Sequence, residues 1–331
     1  MSTRYFTLRA PDEPTIAILP SNAQTRNAHR RSTAHHLPDE IMDYKRFADT
    51  DVMLPEIGLG TWCYAGGVEP LRAGIALGAT FLDTAEIYGS EEVVGQAIKG
   101  MRPGIFLATK VAPRHFRRAD VLRAADDSLS RLGTDHIDLY QLHWPNYTVA
   151  IDETMGAMEE LVERGKIRYI GVCNFTLDEL KRAQKAMTRH RIVATQVNYS
   201  LAERTVEASL LPYCQRERIA IIAYSPLGHS LSNLAARDPR GILQIVAARN
   251  GKTIPQVALN WCISKPGVVA IPKSDSVEHT RDNCGASGWR LPVEDRELLN
   301  SSIGFRSRSS ALNPLRRAAK YCLQKTGRRL G

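Results

Sequence analysis

The chain has few cysteines for its length, and they are widely separated. None of the six forms a CxxC pair or belongs to a Cys/His cluster with the spacing of zinc ligands. A disulfide framework and a zinc module are therefore excluded, and no metal site is predicted. No apolar run approaches the roughly 20 residues of a membrane-spanning helix, and the N-terminus lacks the apolar segment of a signal peptide. These absences predict a protein of a reducing compartment, the cytoplasm.

Acidic residues are missing from the C-terminal end. Residues 303–331 carry eight Arg and Lys and no acid, whereas residues 42–302 have no net charge, although the whole chain carries +9. A basic tail attracts nucleic acid, anionic lipid or acidic proteins, but a solvated terminus is the simpler interpretation and we favour it. Residues 1–41 contain four prolines and no periodicity, which predicts a disordered extension, and we hypothesise that translation begins at Met42.

The sequence also lacks the glycine order of a dinucleotide-binding turn. The segment GLGTWCYAGG, residues 58–67, is rich in glycine but does not read G-x-G-x-x-G. An open doubly wound sheet normally carries that turn after its first strand. The open sheet is therefore the less favoured of two possible architectures.

The chain contains a regular alternation of short apolar runs and helical segments. A small hairpin is predicted over residues 45–54, and eight strands then alternate with helices from residue 57 to residue 302. The strands are continuous apolar runs, which indicates burial on both faces, as in a parallel sheet covered by helices. Eight such units over about 250 residues predict an α/β fold, a closed (β/α)8 TIM barrel occupying residues 42–302.

Polar residues collect where the predicted strands end. Asp83, Lys110 and His143 each close an apolar run, and Tyr88 follows Asp83 after a short loop. Because the chemistry of a barrel lies at the carboxyl ends of its strands, we expect these four side chains to lie close together. Taken singly, each has a plainer explanation as a cap, a packing aromatic, a solvated lysine or a buried histidine. Their shared placement favours a site.

The four residue types also suit one another chemically. A free tyrosine has a pKa of about 10 and is a poor acid at neutral pH. The ammonium of Lys110 is expected to lower the pKa of Tyr88, and Asp83 is expected to be the counter-ion of a buried Lys110. His143 is expected to bind a carbonyl oxygen or to orient the phenol.

At this point the sequence resembles the aldo-keto reductase family over about residues 44–302. The motifs that carry the resemblance occur in the family's order: LPEIGLGTW, FLDTAEIYGSEEVVG, ATK, IDLYQLHWP, GKIRYIGVCNF, TQVNYS, IIAYSPLG and VVAIPKS. The resemblance implies a barrel that reduces aldehydes and ketones with NADPH, bound without a Rossmann fold. It implies a catalytic set of Asp83, Tyr88, Lys110 and His143, in which Tyr88 is the general acid.

The resemblance also implies the residues around the nicotinamide and the substrate. Asn174 and Gln196 match positions that hold the carboxamide, and Tyr224 matches the aromatic that stacks on the nicotinamide ring. Trp62 and Trp144 match apolar walls of the carbonyl pocket, where a barrel mouth must exclude water.

The phosphates and the adenosine have their own implied contacts. Ser225 and Leu227 match the pyrophosphate-binding loop. Lys273 and Ser274 match the pair at the adenosine 2′-phosphate, where a cation and a hydroxyl suit a dianion. Asn283 matches the adenine contact.

Three departures from the family pattern stand out. Cys173 replaces the usual Ser or Thr beside the carboxamide asparagine, and a thiol is the weaker hydrogen-bond partner. His279 occupies a cofactor position where NADPH-preferring members carry Arg, so NADH remains possible. The polar segment after residue 302 and the short loop after Lys110 predict an open pocket with a broad carbonyl range.

Two other functions stay open on the sequence. The same residues would serve an NAD-linked sugar or alcohol dehydrogenase, an alternative that His279 favours. The same fold would also serve a redox-sensing binding subunit, an alternative that the basic tail favours. We expect a monomer acting on a small molecule, without nucleic-acid or membrane partners.

Overall fold

The computed structural model describes residues 42–307. The predicted extension 1–41 and most of the predicted tail 303–331 lie outside the described residues. The strands are β1 Tyr44–Arg46, β2 Met53–Pro55, β3 Leu59–Gly60, β4 Phe81–Asp83, β5 Phe106–Val111, β6 Ile137–Leu142, β7 Ile167–Cys173, β8 Ile192–Asn198, β9 Ala220–Tyr224 and β10 Val268–Ala270. The α-helices are α1 Glu69–Ala76, α2 Glu91–Ile98, α3 Arg118–Leu132, α4 Ile151–Glu163, α5 Leu177–Lys185, α6 Leu210–Arg216, α7 Leu231–Ala235, α8 Ile242–Asn250, α9 Ile254–Ile263, α10 Val277–Cys284 and α11 Val293–Ser302.

Strands β3 to β10 form one parallel sheet in chain order. The sheet closes on itself, because the Gly58 N–H donates to the Ala270 carbonyl at 2.8 Å and the Gly60 N–H donates to the Pro272 carbonyl at 3.1 Å. Strands β5 and β6 are buried at every position. The predicted (β/α)8 barrel and the burial of its strands on both faces are confirmed.

The hairpin β1–β2 covers the end of the barrel where the strands begin. Its turn residue Phe47 is buried, and its ring lies 5.0 Å from the Phe106 ring and 5.7 Å from the Tyr169 ring, both edge to face. Aromatic pairs in this geometry add stability beyond their buried area. The hairpin closes one end of the barrel, so a ligand must enter from the opposite end.

The outer helices pack one apolar face on the barrel, as α3 illustrates. Val121, Ala125, Leu129 and Leu132 are buried at a spacing that places them on one side of a helix. Gly133 ends α3 in the left-handed conformation at φ 62°, and its N–H returns to the carbonyl of Leu129. Glycine adopts this conformation without a Cβ penalty.

One predicted helix, over residues 205–216, is divided in the structure. A 3-10 turn covers Thr205–Ala208, and α6 begins only after Ser209, which has φ −153° and ψ −44°. An uninterrupted helix would bring the ring of Pro212 against the carbonyl of Ala208, and Pro212 has no N–H to donate to that carbonyl. Helix α7, a five-residue helix capped by Ser230, was not predicted from the sequence.

The first residues after α11 pack on the barrel. Ile303 is buried, the Phe305 ring lies 4.5 Å from the guanidinium carbon of Arg204, and the Arg306 N–H donates to the Ala202 carbonyl at 2.9 Å. The described part of the predicted tail is therefore anchored to the loop after β8. Among residues 42–307, no helix has both the length and the apolar character to cross a membrane.

The substitution Gly95→Ala tests how closely α2 packs against α3. A Cβ at this position would lie 2.5 Å from the carbonyl oxygen of Leu132, a backbone atom that cannot move aside cheaply. We expect Gly95→Ala to lower the free energy of unfolding by about 1–3 kcal/mol, measured by urea denaturation. Gly156→Ala is the matched control, because a Cβ in the middle of α4 meets nothing within 4 Å. The control should gain up to about 1 kcal/mol, and equal effects of both variants would contradict the packing argument.

Candidate active site

The parallel register brings three predicted catalytic residues to one end of the barrel. Asp83 ends β4, Lys110 pairs with Gln141 across β5 and β6, and His143 directly follows β6. Asp83, Lys110 and His143 are buried, whereas Tyr88 is half-buried in the loop before α2. These four residues are spread over 61 positions of the sequence, and the fold of the barrel brings them to one end.

Lys110 and Asp83 form a fully buried ion pair. The Lys110 Nζ donates to Asp83 Oδ1 at 2.5 Å and to the Thr84 carbonyl at 2.8 Å. The second carboxylate oxygen, Oδ2, accepts from Gln196 Nε2 at 2.7 Å and from Gln141 Nε2 at 3.2 Å. The predicted counter-ion relation is confirmed, and both charges are satisfied as burial requires.

His143 contacts the phenol of Tyr88 and is a neutral imidazole. Its Nε2 lies 3.3 Å from the Tyr88 hydroxyl, and its Nδ1 is buried without a hydrogen-bond partner. A buried donor without a partner is rarer than a buried acceptor without one, so we assign the proton to Nε2. Burial, and then the charge of Lys110, lower the pKa of His143 to about 2. His143 is thus a neutral donor that points at the phenol.

The expected lowering of the Tyr88 pKa is wrong, because the net shift is in the opposite direction. Burial, and then the negative charge of Asp83, raise the pKa of Tyr88 well above its ordinary value. The Lys110 Nζ does lie 5.0 Å from the centre of the Tyr88 ring. Its charge is neutralised by Asp83 at half that distance, so the pair acts on the phenol as a dipole and burial decides the outcome.

Asn174 occupies the mouth of the barrel in a constrained conformation. Its φ is +64°, a left-handed value that costs a non-glycine residue free energy. Its Nδ2 donates to the His143 carbonyl at 3.1 Å, and its Oδ1 accepts from the Tyr224 hydroxyl at 2.8 Å. Two of the three residues predicted to contact the nicotinamide, Asn174 and Tyr224, are therefore held to each other and to His143.

Gln196 lies deeper than the sequence predicts for a residue that holds a carboxamide. It is buried, its Nε2 donates to Asp83, and its Oε1 accepts from the Cys173 thiol at 3.8 Å. Asn174 Nδ2 in turn donates to the Cys173 sulfur at 3.2 Å. Burial raises the pKa of Cys173 to about 12, so the thiol keeps its proton. Cys173 and Gln196 link Asn174 to the buried ion pair.

The predicted phosphate-binding residues lie around the start of α10. Lys273 is exposed, and its side chain forms an ion pair with Asp275. Its backbone forms an isolated β-bridge with Gly60, two residues before Trp62. The Ser274 hydroxyl donates to the Ser276 carbonyl at 2.9 Å. His279, one turn into α10, is exposed, and its backbone N–H donates to the Ser276 hydroxyl at 3.2 Å.

A small cleft leads from the end of β3 to α10. Its lining residues are Leu59, Gly60, Leu71, Pro272, Ser274, Thr280 and Asn283. The lining therefore includes two of the predicted cofactor residues, Ser274 and the buried Asn283, on the side where Lys273 is exposed.

The loop after β9 carries the remaining predicted cofactor residues. Ser225 has φ +48°, and His229 has φ +70°. The Ser225 hydroxyl lies 3.2 Å from His229 Nδ1, and the Gly228 N–H donates to the Ser225 carbonyl at 2.9 Å. Leu227 lies between them, half-buried against the apolar core. Strained turns of this kind cluster at ligand sites.

The two predicted pocket walls differ in exposure. The Trp144 ring stacks on the His143 imidazole at 3.7 Å with an interplanar angle of 14°. Trp62 is 57% exposed. Trp144 therefore fixes the imidazole, whereas Trp62 is an open apolar surface at the barrel mouth.

These residues fit a nicotinamide dinucleotide. The Asn174 amide and the Tyr224 phenol are hydrogen-bonded at the mouth, and the turn that follows carries the Ser225 hydroxyl. The exposed Lys273 lies beside Ser274 before α10. An amide suits a carboxamide, and a cation with a hydroxyl suits a phosphate. Asn174, Tyr224, Ser225, Lys273 and Ser274 would hold such a cofactor.

Two groups that support the site were not predicted from the sequence. Gln141 donates to Asp83 from β6. The sequence feature that could have revealed it is a glutamine within the otherwise mostly apolar strand IDLYQL. Ser90 donates to the Thr61 hydroxyl and lies within hydrogen-bond distance of the Thr84 hydroxyl, both at 2.9 Å, beneath the loop of Tyr88. Buried hydroxyls are satisfied by such pairing.

Known proteins are similar along most of the chain. The model of the aldo/keto reductase family matches residues 56–303. The methylglyoxal reductase YeaE of Escherichia coli K12 is 36% identical, over 80% of this chain and 96% of its own. The aldo-keto reductase YhdN of Bacillus subtilis 168 is 33% identical, over 79% and 94%. A Klebsiella pneumoniae aldo/keto reductase solved with NADP and acetate has a TM-score of 0.74 and 38% identity, over 82% and 98%.

The depressed pKa of His143 predicts an acid-sensitive fold. The folded protein keeps His143 neutral down to about pH 2, whereas the unfolded chain binds the proton near pH 6.5. Unfolding therefore takes up a proton between these values, and stability falls as the pH falls through that window. We expect wild type to lose about 1.4 kcal/mol per pH unit more than His143→Gln between pH 6 and pH 4. Urea denaturation of both proteins across this range measures the difference, and parallel curves would mean that His143 is charged in the fold.

Proposed function

We propose that this chain, which belongs to the aldo/keto reductase family, reduces small aldehydes and ketones at the site formed by Asp83, Tyr88, Lys110 and His143. The match over residues 56–303 and the relatives above 30% identity establish the family. The family reduces carbonyl compounds with NADPH. One observation supports these residues most strongly: the Tyr88 hydroxyl lies 3.3 Å from the neutral His143, above the buried Lys110–Asp83 pair.

Tyr88 is the general acid in this proposal. The substrate carbonyl oxygen accepts a hydrogen bond from the Tyr88 hydroxyl, and the Tyr88 oxygen in turn accepts the His143 Nε2–H, which holds the phenol in place. When bound, NADPH supplies the hydride that reduces the carbonyl carbon. As negative charge develops on the oxygen, Tyr88 donates its proton to it. Because its pKa is raised, the phenol keeps the proton until a strong base, the nascent alkoxide, takes it.

The Lys110 ammonium and the His143 imidazole stabilise the phenolate that remains on Tyr88, whereas burial and the charge of Asp83 oppose it. The phenolate oxygen accepts from the His143 Nε2–H, and the Lys110 charge lies 5.0 Å from the ring centre. Asp83 keeps Lys110 charged and fixed within a dry site, where a fixed charge acts more strongly than in water. Tyr88 is half-buried, so solvent returns the proton after product release.

Cofactor binding falls to the mouth residues. We assign the carboxamide contact to Asn174 and the stacking surface to Tyr224, with Gln196 supporting Asn174 through Cys173. The phosphates are assigned to Ser225, Leu227, Lys273, Ser274 and His279, and the adenine to Asn283. His279 is a weaker phosphate ligand than arginine, so NADH remains a possible second cofactor.

The substrate class follows from the open mouth and the relatives. Trp62 is exposed and Trp144 is half-buried, which leaves room for small carbonyl compounds. One relative is a methylglyoxal reductase, and we propose small dicarbonyls as substrates. We further propose a monomer in the cytoplasm, which the free cysteines among the described residues support.

Tyr88→Phe tests the proposed acid. Loss of the hydroxyl removes the proton donor and leaves the apolar ring, so kcat/KM for methylglyoxal with NADPH should fall by about 100- to 10,000-fold. The dissociation constant of NADPH, followed by quenching of tryptophan fluorescence, should stay the same.

Tyr140→Phe is the matched control for this variant. The Tyr140 hydroxyl is buried in β6 without a hydrogen-bond partner, so its removal should leave kcat/KM unchanged and the fold equally or more stable. Full activity of Tyr88→Phe, or an equal loss in both variants, would rule out Tyr88 as the acid.

A further inference from the structure

Glu86 is a buried carboxylate that the mechanism above does not use. It lies in the loop between β4 and α2, two residues before Tyr88, and only 5% of its side chain is exposed. Burial of a carboxylate is unfavourable unless its oxygens are paired. Its partners therefore indicate its role.

The carboxylate of Glu86 crosses to the loop that follows Lys110. Oε1 accepts the backbone N–H of Ala112 at 2.8 Å, His115 Nδ1 lies 3.2 Å from Oε2, and the Arg114 guanidinium lies 3.5 Å from Oε1. In addition, the backbone N–H of Glu86 donates to the Lys110 carbonyl at 3.2 Å. Glu86 thus joins the two loops through both its backbone and its side chain.

A third loop holds the same segment from the other side. Asn146 Nδ2 donates to the Pro113 carbonyl at 2.6 Å, and Asn146 lies three residues after His143. Hydrogen bonds at Glu86 therefore join the loop after β4 to the loop after β5, and a hydrogen bond at Pro113 joins the loop after β5 to the loop after β6. Tyr88 and His143 lie in the first and third of these loops, and Lys110 is the penultimate residue of the strand that leads into the second.

We propose that Glu86 is a positioning residue, which fixes the turn of Tyr88 against the strand end that carries Lys110. The inference rests on the proposed reductase function. The Tyr88 N–H donates to the Ala85 carbonyl at 3.0 Å, so Glu86 and Tyr88 belong to one turn and move together. A displacement of the acid by about 1 Å lowers the rate roughly 100-fold.

Single-turnover kinetics separate positioning from folding. Enzyme is loaded with one equivalent of NADPH and mixed with excess methylglyoxal, and the absorbance of the reduced nicotinamide is followed. The rate of the first turnover reports geometry within each active molecule, and its amplitude reports the active fraction. We expect Glu86→Ala to lower the rate about 10- to 100-fold at full amplitude. Glu86→Gln retains an oxygen that accepts the Ala112 N–H, so its rate should stay within about threefold of wild type.

Glu92→Ala is the control, since Glu92 is exposed in the first turn of α2, and its rate and amplitude should match wild type. If Glu86→Ala reacts at the wild-type rate, or loses amplitude alone, the positioning role is overturned while the reductase function stands. If Glu86→Gln is as slow as Glu86→Ala, the Ala112 hydrogen bond is not what positions the turn, and the proposal fails in that form. If wild type leaves NADPH unoxidised, the reductase function and this inference fail together.

Discussion

The ion pair between Lys110 and Asp83 is the interaction on which the rest of the site depends. Two opposite charges lie 2.5 Å apart and almost wholly buried, and the carboxylate also accepts hydrogen bonds from Gln196 and Gln141. Four strands, β4, β5, β6 and β8, each contribute one member. A buried pair of this kind adds little net stability, so we interpret its presence as a requirement of the site and not of the barrel.

Burial and, after it, the charges of the pair keep the two neighbours in the protonation states that the site needs. The charge of Lys110 helps to keep His143 neutral, and the charge of Asp83 adds to the burial that keeps Tyr88 protonated. The neutral imidazole of His143 and the protonated phenol of Tyr88 therefore lie side by side at the barrel mouth. In the proposed mechanism Tyr88 acts as the acid because of its buried surroundings and the strong base that it meets, and not because of a lowered pKa.

The sequence was sufficient for the features that depend on local pattern and failed for those that depend on three-dimensional neighbours. Apolar runs of regular spacing predicted the barrel, and strand ends predicted which polar side chains lie together at its mouth. The direction of the Tyr88 pKa shift was wrong, because it depends on how closely Asp83 neutralises Lys110. The depth of Gln196 and the bridge made by Glu86 also escaped prediction, since a linear pattern does not show which loop a side chain reaches.

The central claim is that the buried pair serves catalysis and not stability, and paired variants test it most directly. Lys110→Met leaves Asp83 buried and unpaired, so the free energy of unfolding should fall by about 3–5 kcal/mol. Adding Asp83→Leu removes the stranded charge, and most of the lost stability should return while kcat for methylglyoxal stays as low as in the single variant. Measured by urea denaturation and steady-state turnover, a recovery of stability without activity is the predicted result. A loss below about 1 kcal/mol in the single variant, or activity regained in the double variant, would contradict the account.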